Sequence, residues 1–138
     1  MRGISTDKIC FIVVKARESN AKEPPVEDPG SNPTDDKMKF LEARDDAARA
    51  ELRAFIDSLN VDEKVRVVAL MWIGRGDFEP SEWNRAVAEA IRHNEGATAQ
   101  PRHRTVNYLL GEPLLADYLE RGLDCFGESC KEFEMGRL

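Results

Sequence analysis

The chain has 138 residues, of which 41% are hydrophobic and 33% charged, and its net charge is −6 at pH 7. This length fits one domain of ordinary size, and the composition is typical of a globular chain rather than a disordered one. The acidic balance argues against nucleic acid as a partner, because binding phosphate needs a basic surface. The longest apolar run, residues 9–14, is far shorter than the ~20 residues that cross a membrane. We therefore expect neither a membrane span nor a signal peptide.

The three cysteines are Cys10, Cys125 and Cys130. An odd and sparse set favours free thiols in a reducing compartment over a disulfide framework, so we predict a cytoplasmic protein. The spacing leaves open whether Cys125 and Cys130 pair or bind a metal, and whether Cys10 joins them.

The N-terminal segment favours a helix. Candidate capping residues at positions 5–7 precede Ile9, Ile12, Val13 and Ala16, which recur at helical spacing. The β-branched run at residues 12–14 leaves a short buried strand as the alternative.

Residues 23–36 hold four of the seven prolines and five acidic residues with no basic one. Proline fixes φ and removes a donor, and like charges repel, so the segment is predicted to be an exposed linker. We expect a turn or two at residues 38–41, and then a helix that starts at Asp45 and Asp46.

The centre of the chain holds the predicted core helix, residues 62–74. Asn60 is expected to end the preceding helix in the left-handed conformation, and Asp62 to cap the next one. The core helix is apolar on most sides, as is typical of a central helix. The glycines at residues 74–76 are predicted to end it.

The C-terminal half alternates helices and breaks. Pro80 fits the first turn of a helix that contains Trp83. Residues 93–104 are predicted to be a loop, residues 105–110 a short turn, and Pro113 the start of a last helix. Residues 128–138 are expected to form a flexible tail.

Together these elements predict an all-α fold, an irregular bundle of five or six helices with one long Pro-rich acidic connection. The length of the chain predicts a single domain over residues 1–138. No period of 20–50 residues repeats along the chain, so we do not expect a solenoid.

Two stretches resemble the signatures of a small bacterial family of unknown function. They are Trp72-Ile73-Gly74-Arg75-Gly76-Asp77-Phe78, with Glu82-Trp83 after it, and Asn107-Tyr108-Leu109-Leu110-Gly111-Glu112-Pro113-Leu114-Leu115-Ala116-Asp117-Tyr118-Leu119-Glu120. Residues 10–18 and 28–33 resemble its remaining pieces. The resemblance implies a short helical cytosolic protein, and it carries over no catalytic residue.

The sharpest candidate site is the junction between the two tryptophans. Arg75 is a candidate clamp for a carboxylate or phosphate, and Trp83 a candidate stacking face beside the helix start. Asp77 and the neighbouring acids oppose this reading, because they occupy the helix N-terminus and repel an anion. The competing structural reading places both tryptophans in the core and pairs Arg75 locally.

The sequence predicts no metal site, no cofactor and no catalytic residue. The acids at residues 77–82 lack the pattern of a calcium loop, and the histidines and cysteines lack the close pairing of zinc ligands. No serine lies in a nucleophile elbow.

A second group of candidates surrounds the predicted loop and the helix after it. These partner-binding candidates are Arg102, His103, Arg104, Tyr108 and Tyr118. The basic side chains suit an acidic partner, and the tyrosines suit a partly exposed apolar interface, including that of a homodimer. The competing readings are a solvated loop and a packed core.

These observations favour a non-enzymatic helical interaction module that binds a protein partner or itself. The alternative is a small-ligand or anion-binding regulator that uses the corner at residues 74–76.

Overall fold

In a computed structural model of the chain, residues 4–20, 35–95 and 101–131 are described, with the backbone alone for residues 20, 35–46, 95 and 101–103. Within these ranges the fold is all-α, with one short 3₁₀ helix and no strand. The elements are α1 Thr6–Asn20, α2 Asp35–Ser58, α3 Val61–Arg75, the 3₁₀ helix Pro80–Glu82, α4 Trp83–Glu95, α5 Pro101–Leu110 and α6 Leu115–Cys125. The predicted bundle of five or six helices is confirmed. None of the described helices is long and apolar enough to cross a membrane.

The first helix, α1, follows its predicted pattern. The Lys8 N–H donates to the Ser5 hydroxyl at 3.2 Å, so a side chain satisfies one of the free N–H groups of the first turn. Ile9, Ile12 and Val13 are fully buried, and α1 packs on α2 and α6. The β-branched run therefore supplies core side chains of a helix, and the strand alternative is wrong.

The second helix, α2, is longer than predicted. Its backbone runs without a break from Asp35 to Ser58, so the separate turn at residues 38–41 and the helix start at residues 45–46 are wrong. An aspartate inside a helix costs less than ~1 kcal/mol relative to alanine, and the surrounding alanines and arginines are strong helix formers. Asp35 and Asp36 belong to α2 rather than to the predicted linker, whose other residues, 23–34, lie outside the described ranges.

The third helix, α3, starts with a reciprocal cap. Asn60 is extended, with φ −75° and ψ 171°, and its side chain accepts the Glu63 N–H at 2.8 Å. The Glu63 carboxylate accepts the Asn60 N–H at 3.1 Å, which completes a capping box. The predictions of a left-handed Asn60 and an Asp62 cap are therefore wrong. The signal for the true start is an asparagine followed three residues later by a glutamate, a spacing that the prediction from Asp62 does not use.

The central position predicted for residues 62–74 is confirmed. The buried residues of α3 are Lys64, Val65, Val67, Val68, Ala69, Leu70, Met71, Trp72, Ile73 and Gly74. The helix packs most extensively on α6 and α4, and it also touches α5. A helix buried on this many sides sets the arrangement of its neighbours.

The contact between α3 and α6 depends on two glycines that face each other. A Cβ atom at Gly74 would collide with the Tyr118 carbonyl group and lie 2.9 Å from the Gly122 nitrogen. A Cβ atom at Gly122 would lie 2.7 Å from the Leu70 carbonyl oxygen. Gly74 is therefore needed for the close approach of two backbones, whereas Gly76, with φ 95°, provides the turn that ends α3.

The C-terminal elements differ from the prediction at α5. This helix begins at Pro101, and α4 extends to Glu95, so the predicted loop over residues 93–104 is wrong for the described residues on both sides of 96–100. Proline at the first helical position is a start signal, since its missing N–H would have no partner there. The last helix, α6, begins at Leu115, two residues after Pro113.

A disulfide joins the two ends of the described structure. Cys10 on α1 and Cys130 after α6 are bonded. Their Cα atoms are 5.5 Å apart, although the two residues are separated by 120 positions in the sequence. Both side chains are buried, although the sequence places Cys130 in a flexible tail. The expectation of free thiols is wrong for this pair, while Cys125 keeps an exposed free thiol.

The close contact at Gly74 predicts that one added methyl group at this position lowers the stability of the fold strongly. We expect Gly74→Ala to destabilise the protein by about 3 kcal/mol, because the new Cβ meets backbone rather than a side chain that can move aside. Gly76→Ala is the control, since it meets no atom within 4 Å and should cost only the left-handed strain of about 1–2 kcal/mol. Urea unfolding measures both. A Gly74→Ala variant as stable as Gly76→Ala would contradict the packing described here.

The disulfide predicts a stability that depends on the redox state. Closing a loop of this length lowers the entropy of the unfolded chain, so reduction should remove about 4–5 kcal/mol of stability. Thermal unfolding with and without a phosphine reductant measures the effect. The Cys125→Ser variant should remain sensitive to reductant, and the double variant Cys10→Ala/Cys130→Ala should be insensitive. Titration of two or more free thiols in the oxidised wild type would refute the pairing.

Candidate functional site

The corner after α3 is closed by its own backbone hydrogen bonds. The Gly76 N–H donates to the Ile73 carbonyl at 3.1 Å and to the Trp72 carbonyl at 3.0 Å, and the Asp77 N–H donates to the Trp72 carbonyl at 2.9 Å. This is a Schellman motif, in which the N–H groups after the helix satisfy its last carbonyls. These N–H groups are therefore not free to bind an anion.

Arg75 is held by two carboxylates. Its Nε and one terminal nitrogen donate to Asp77 Oδ2 at 2.8 and 2.6 Å, and its other terminal nitrogen lies 3.6 Å from Glu112 Oε1. The hydrogen bond with Asp77 is the main cause that raises the pKa of Arg75, opposed by burial and supported by the Tyr108 hydroxyl. Arg75 is therefore a charge that its neighbours already neutralise.

Aromatic rings from three segments meet beside Arg75. The Trp72 indole N–H donates to the Tyr108 hydroxyl at 2.9 Å, which ties α3 to α5. The Phe78 ring lies 5.9 Å from that of Trp72, and the Arg85 guanidinium lies 5.9 Å from the centre of Phe78. The Tyr108 hydroxyl accepts from Trp72, and within the described residues its own hydrogen has no acceptor, so it can donate to a ligand.

His93 on α4 packs against the rings of Tyr108 and Trp72. Its ring centre lies 4.3 Å from that of Tyr108 and 6.0 Å from that of Trp72, edge-on to the indole. Among the described residues, the buried His93 Nδ1 has no hydrogen-bond partner, and neither has the Arg104 Nε. Burial and, secondarily, the Arg104 charge lower the pKa of His93. The folded protein therefore favours the neutral imidazole.

These side chains line an open cavity of about 310 Å³, which we name the aromatic corner. Its lining residues are Trp72, Arg75, Asp77, Phe78, Arg85, Glu89 and Tyr108. The charges of the two lining arginines and the two lining carboxylates sum to zero. Each of these side chains also forms an ion pair: Arg75 with Asp77, Arg85 with Glu82 at 3.2 Å, and Glu89 with Arg92. The volume is at the lower end of that found for ligand pockets. The site suits a small group that is planar and uncharged.

Of the three ligand-binding residues predicted from sequence, the structure brings two to this cavity. Arg75 and Asp77 line it, while Trp83 is buried elsewhere, with its ring edge-on to Phe126 at 5.5 Å. The stacking surface is instead supplied by Trp72, Phe78 and Tyr108. The core position predicted for Trp72 is confirmed, since it is 9% exposed, and one edge of it also lines the cavity. Phe78 was not predicted as a site residue, although it follows Asp77 directly.

The predicted partner-binding group is divided by the fold. The side chains of Arg102 and His103 lie outside the described part of the chain. Tyr108 lines the aromatic corner, and Arg104 lies beside His93. Tyr118 is half-buried against the core, and its carbonyl group faces Gly74. In the described ranges, no three histidine, cysteine or acidic side chains are grouped as metal ligands.

The structure thus defines an all-α protein with an aromatic-lined surface cavity at the end of its central helix. Residues 49–127, more than half of the chain, match the family described as "Protein of unknown function (DUF3775)", and the protein belongs to that family. No curated protein and no solved structure matched the chain in the same comparisons. The matched region contains the whole aromatic corner and ends before Cys130.

His93 predicts a loss of stability in mild acid. Its pKa is lowered in the folded protein, so at pH values between the lowered pKa and the ordinary value of about 6.5 the unfolded chain binds an extra proton. Stability is therefore complete above this range and falls as the pH decreases through it. Urea unfolding at pH 7 and at about pH 5.5 should show a larger decrease for wild type than for His93→Gln. Equal decreases would show that the folded protein does not disfavour the charged imidazole.

Proposed function

We propose that the protein is a non-enzymatic interaction module and that the aromatic corner is its recognition surface for a protein partner. One observation carries the proposal: Trp72, Phe78, Tyr108 and two arginines line a single open cavity. Tryptophan, tyrosine and arginine are the residues that dominate the binding energy of protein interfaces. A cavity of this kind accepts one anchoring side chain from the partner.

The charges around the cavity indicate which anchor fits. Because each lining charge is already paired, a charged anchor gains little attraction there and still loses its hydration. A planar, uncharged side chain stacks on the rings, and a carbonyl or hydroxyl oxygen on it can accept the Tyr108 hydrogen. Tyrosine, asparagine and glutamine side chains have these properties.

Two alternatives concern the same cavity. An exposed side chain of a second copy would make the module self-associating, and a free planar molecule would make it a small-ligand regulator. The anion-binding form of the second alternative is not favoured, because Asp77 neutralises Arg75 and the N–H groups of Gly76 and Asp77 bond to α3. The proposal assigns no catalytic residue and no cofactor, since the acids and bases of the corner are held in ion pairs.

We retain the cytoplasm as the proposed location. The Cys10–Cys130 disulfide is evidence against this location. Structural disulfides persist mainly in oxidising compartments and are rare in the cytosol. Alkylation of free thiols in intact cells, followed by mass measurement of the protein, tests the location. A protein kept reduced in the cytoplasm should be alkylated at all three cysteines, whereas a protein in an oxidising compartment should be alkylated at Cys125 alone.

A displayed peptide library tests the recognition surface. We expect peptides with a planar anchor to be enriched on wild type and to lose about 30-fold in affinity for Phe78→Ala, as for a hot-spot residue, and several-fold for Arg85→Ala. Arg121→Ala, an exposed arginine on α6, is the control. In a Trp83→Phe background Trp72 is the only tryptophan, so its fluorescence reports binding at the corner.

The outcomes separate the candidates. Peptides that bind wild type and Phe78→Ala equally would refute the aromatic corner as the recognition surface. A wild-type dimer that Phe78→Ala dissociates, measured by sedimentation equilibrium, would assign the corner to a second copy of this chain.

A further inference from the structure

A second cavity lies on the other side of Glu112, where α1, α2, α5 and α6 meet. Its volume is about 180 Å³, and it is more enclosed than the aromatic corner. The lining residues are Ala16, Ser19, Arg49, Leu52, Leu109, Leu110, Gly111, Glu112, Pro113 and Leu115. The cavity opens to solvent, and Arg49, Gly111 and Pro113 in its wall are exposed, so a small molecule can reach it.

Apolar atoms supply slightly more than half of the surface of this cavity. Leu52 and Leu115 are each 2% exposed and Leu110 is 7% exposed, and these three residues give the cavity an apolar floor. An apolar cavity of about 150 Å³ is large enough to hold benzene. The space therefore suits a molecule with an aliphatic group of four or five carbon atoms.

One charged residue in the cavity wall is Arg49, in the C-terminal half of α2. One of its terminal nitrogens donates to the Leu110 carbonyl at 3.3 Å, at the last turn of α5. Within the described residues, no carboxylate lies within ion-pair distance of Arg49, in contrast to Arg75. A guanidinium has five N–H donors, so Arg49 keeps donors for a carboxylate in the cavity.

The opposite charge is Glu112, in the turn between α5 and α6. Its Oε2 accepts the Leu114 N–H at 3.1 Å, and its Oε1 lies 3.6 Å from Arg75. Each carboxylate oxygen has two lone pairs, so Glu112 can accept a further donor from the cavity side. Arg49 and Glu112 line the same small space without forming an ion pair with each other.

We infer that this cavity binds a small aliphatic amino acid as its zwitterion. The ligand carboxylate pairs with Arg49, the ammonium group pairs with Glu112, and the side chain lies on Leu52, Leu110 and Leu115. An anion alone would face Glu112, and a cation alone would face Arg49, so each charge disfavours a ligand that lacks the other. This site is separate from the aromatic corner and does not depend on the function proposed for it.

Calorimetric titration of the full chain with leucine tests the inference. We expect leucine to bind and two analogues to bind at least tenfold more weakly: isovalerate, which lacks the ammonium group, and 3-methylbutylamine, which lacks the carboxylate. The Arg49→Met variant keeps the aliphatic part of the side chain and should lose leucine affinity at least tenfold. Arg53→Met, an exposed arginine one turn later on α2, should bind as wild type does.

Further variants make the result decisive. Glu112→Gln keeps an acceptor for the Leu114 N–H. This variant should weaken the binding of leucine more than the binding of isovalerate. Phe78→Ala should leave leucine binding unchanged, which separates this site from the aromatic corner. No leucine binding by a folded wild type, equal binding by Arg49→Met, or isovalerate binding as strong as that of leucine would each overturn the inference.

Discussion

The contact between Gly74 and Gly122 is the constraint on which the rest of the structure depends. Because neither residue has a side chain, the backbones of α3 and α6 touch directly, and α3 becomes the axis around which the other helices pack. The same contact determines where α3 ends relative to α6. Two residues later the chain reverses at Gly76, and this reversal brings Arg75, Asp77 and Phe78 to one side of Trp72.

Local patterns in the sequence predict a helix correctly where the apolar spacing and the end signals of that helix agree with each other. The apolar spacing of α1, the continuous apolar surface of α3 and the glycine at its end all predict what the structure contains. The errors fall where two local signals compete. Asp45 and Asp46 resemble a helix start, yet their cost inside α2 is too small to interrupt it. Pro101 marks the start of α5, but the polar residues after it suggest a loop.

The candidate site was predictable only where its residues are close in sequence. Arg75 and Asp77 lie two positions apart and form an ion pair, so a reading of the corner alone finds both. Tyr108 is 36 positions from Trp72, and its hydroxyl reaches the indole only because α5 packs beside α3. Which tryptophan lines the cavity depends in the same way on packing, since both occur at helical spacing with apolar neighbours.

The Cys10–Cys130 bond has a mechanical consequence. It closes residues 10–130 into a covalent ring, whose described part contains α2 to α6, the 3₁₀ helix and most of α1. A pulling force applied to the chain outside this ring passes through the sulfur atoms and largely bypasses the helices. A cut in any connection inside the ring leaves two fragments that are still joined. In the oxidised state the two cavities thus lie in a part of the molecule that is shielded from tension, and reduction exposes the same helices to load.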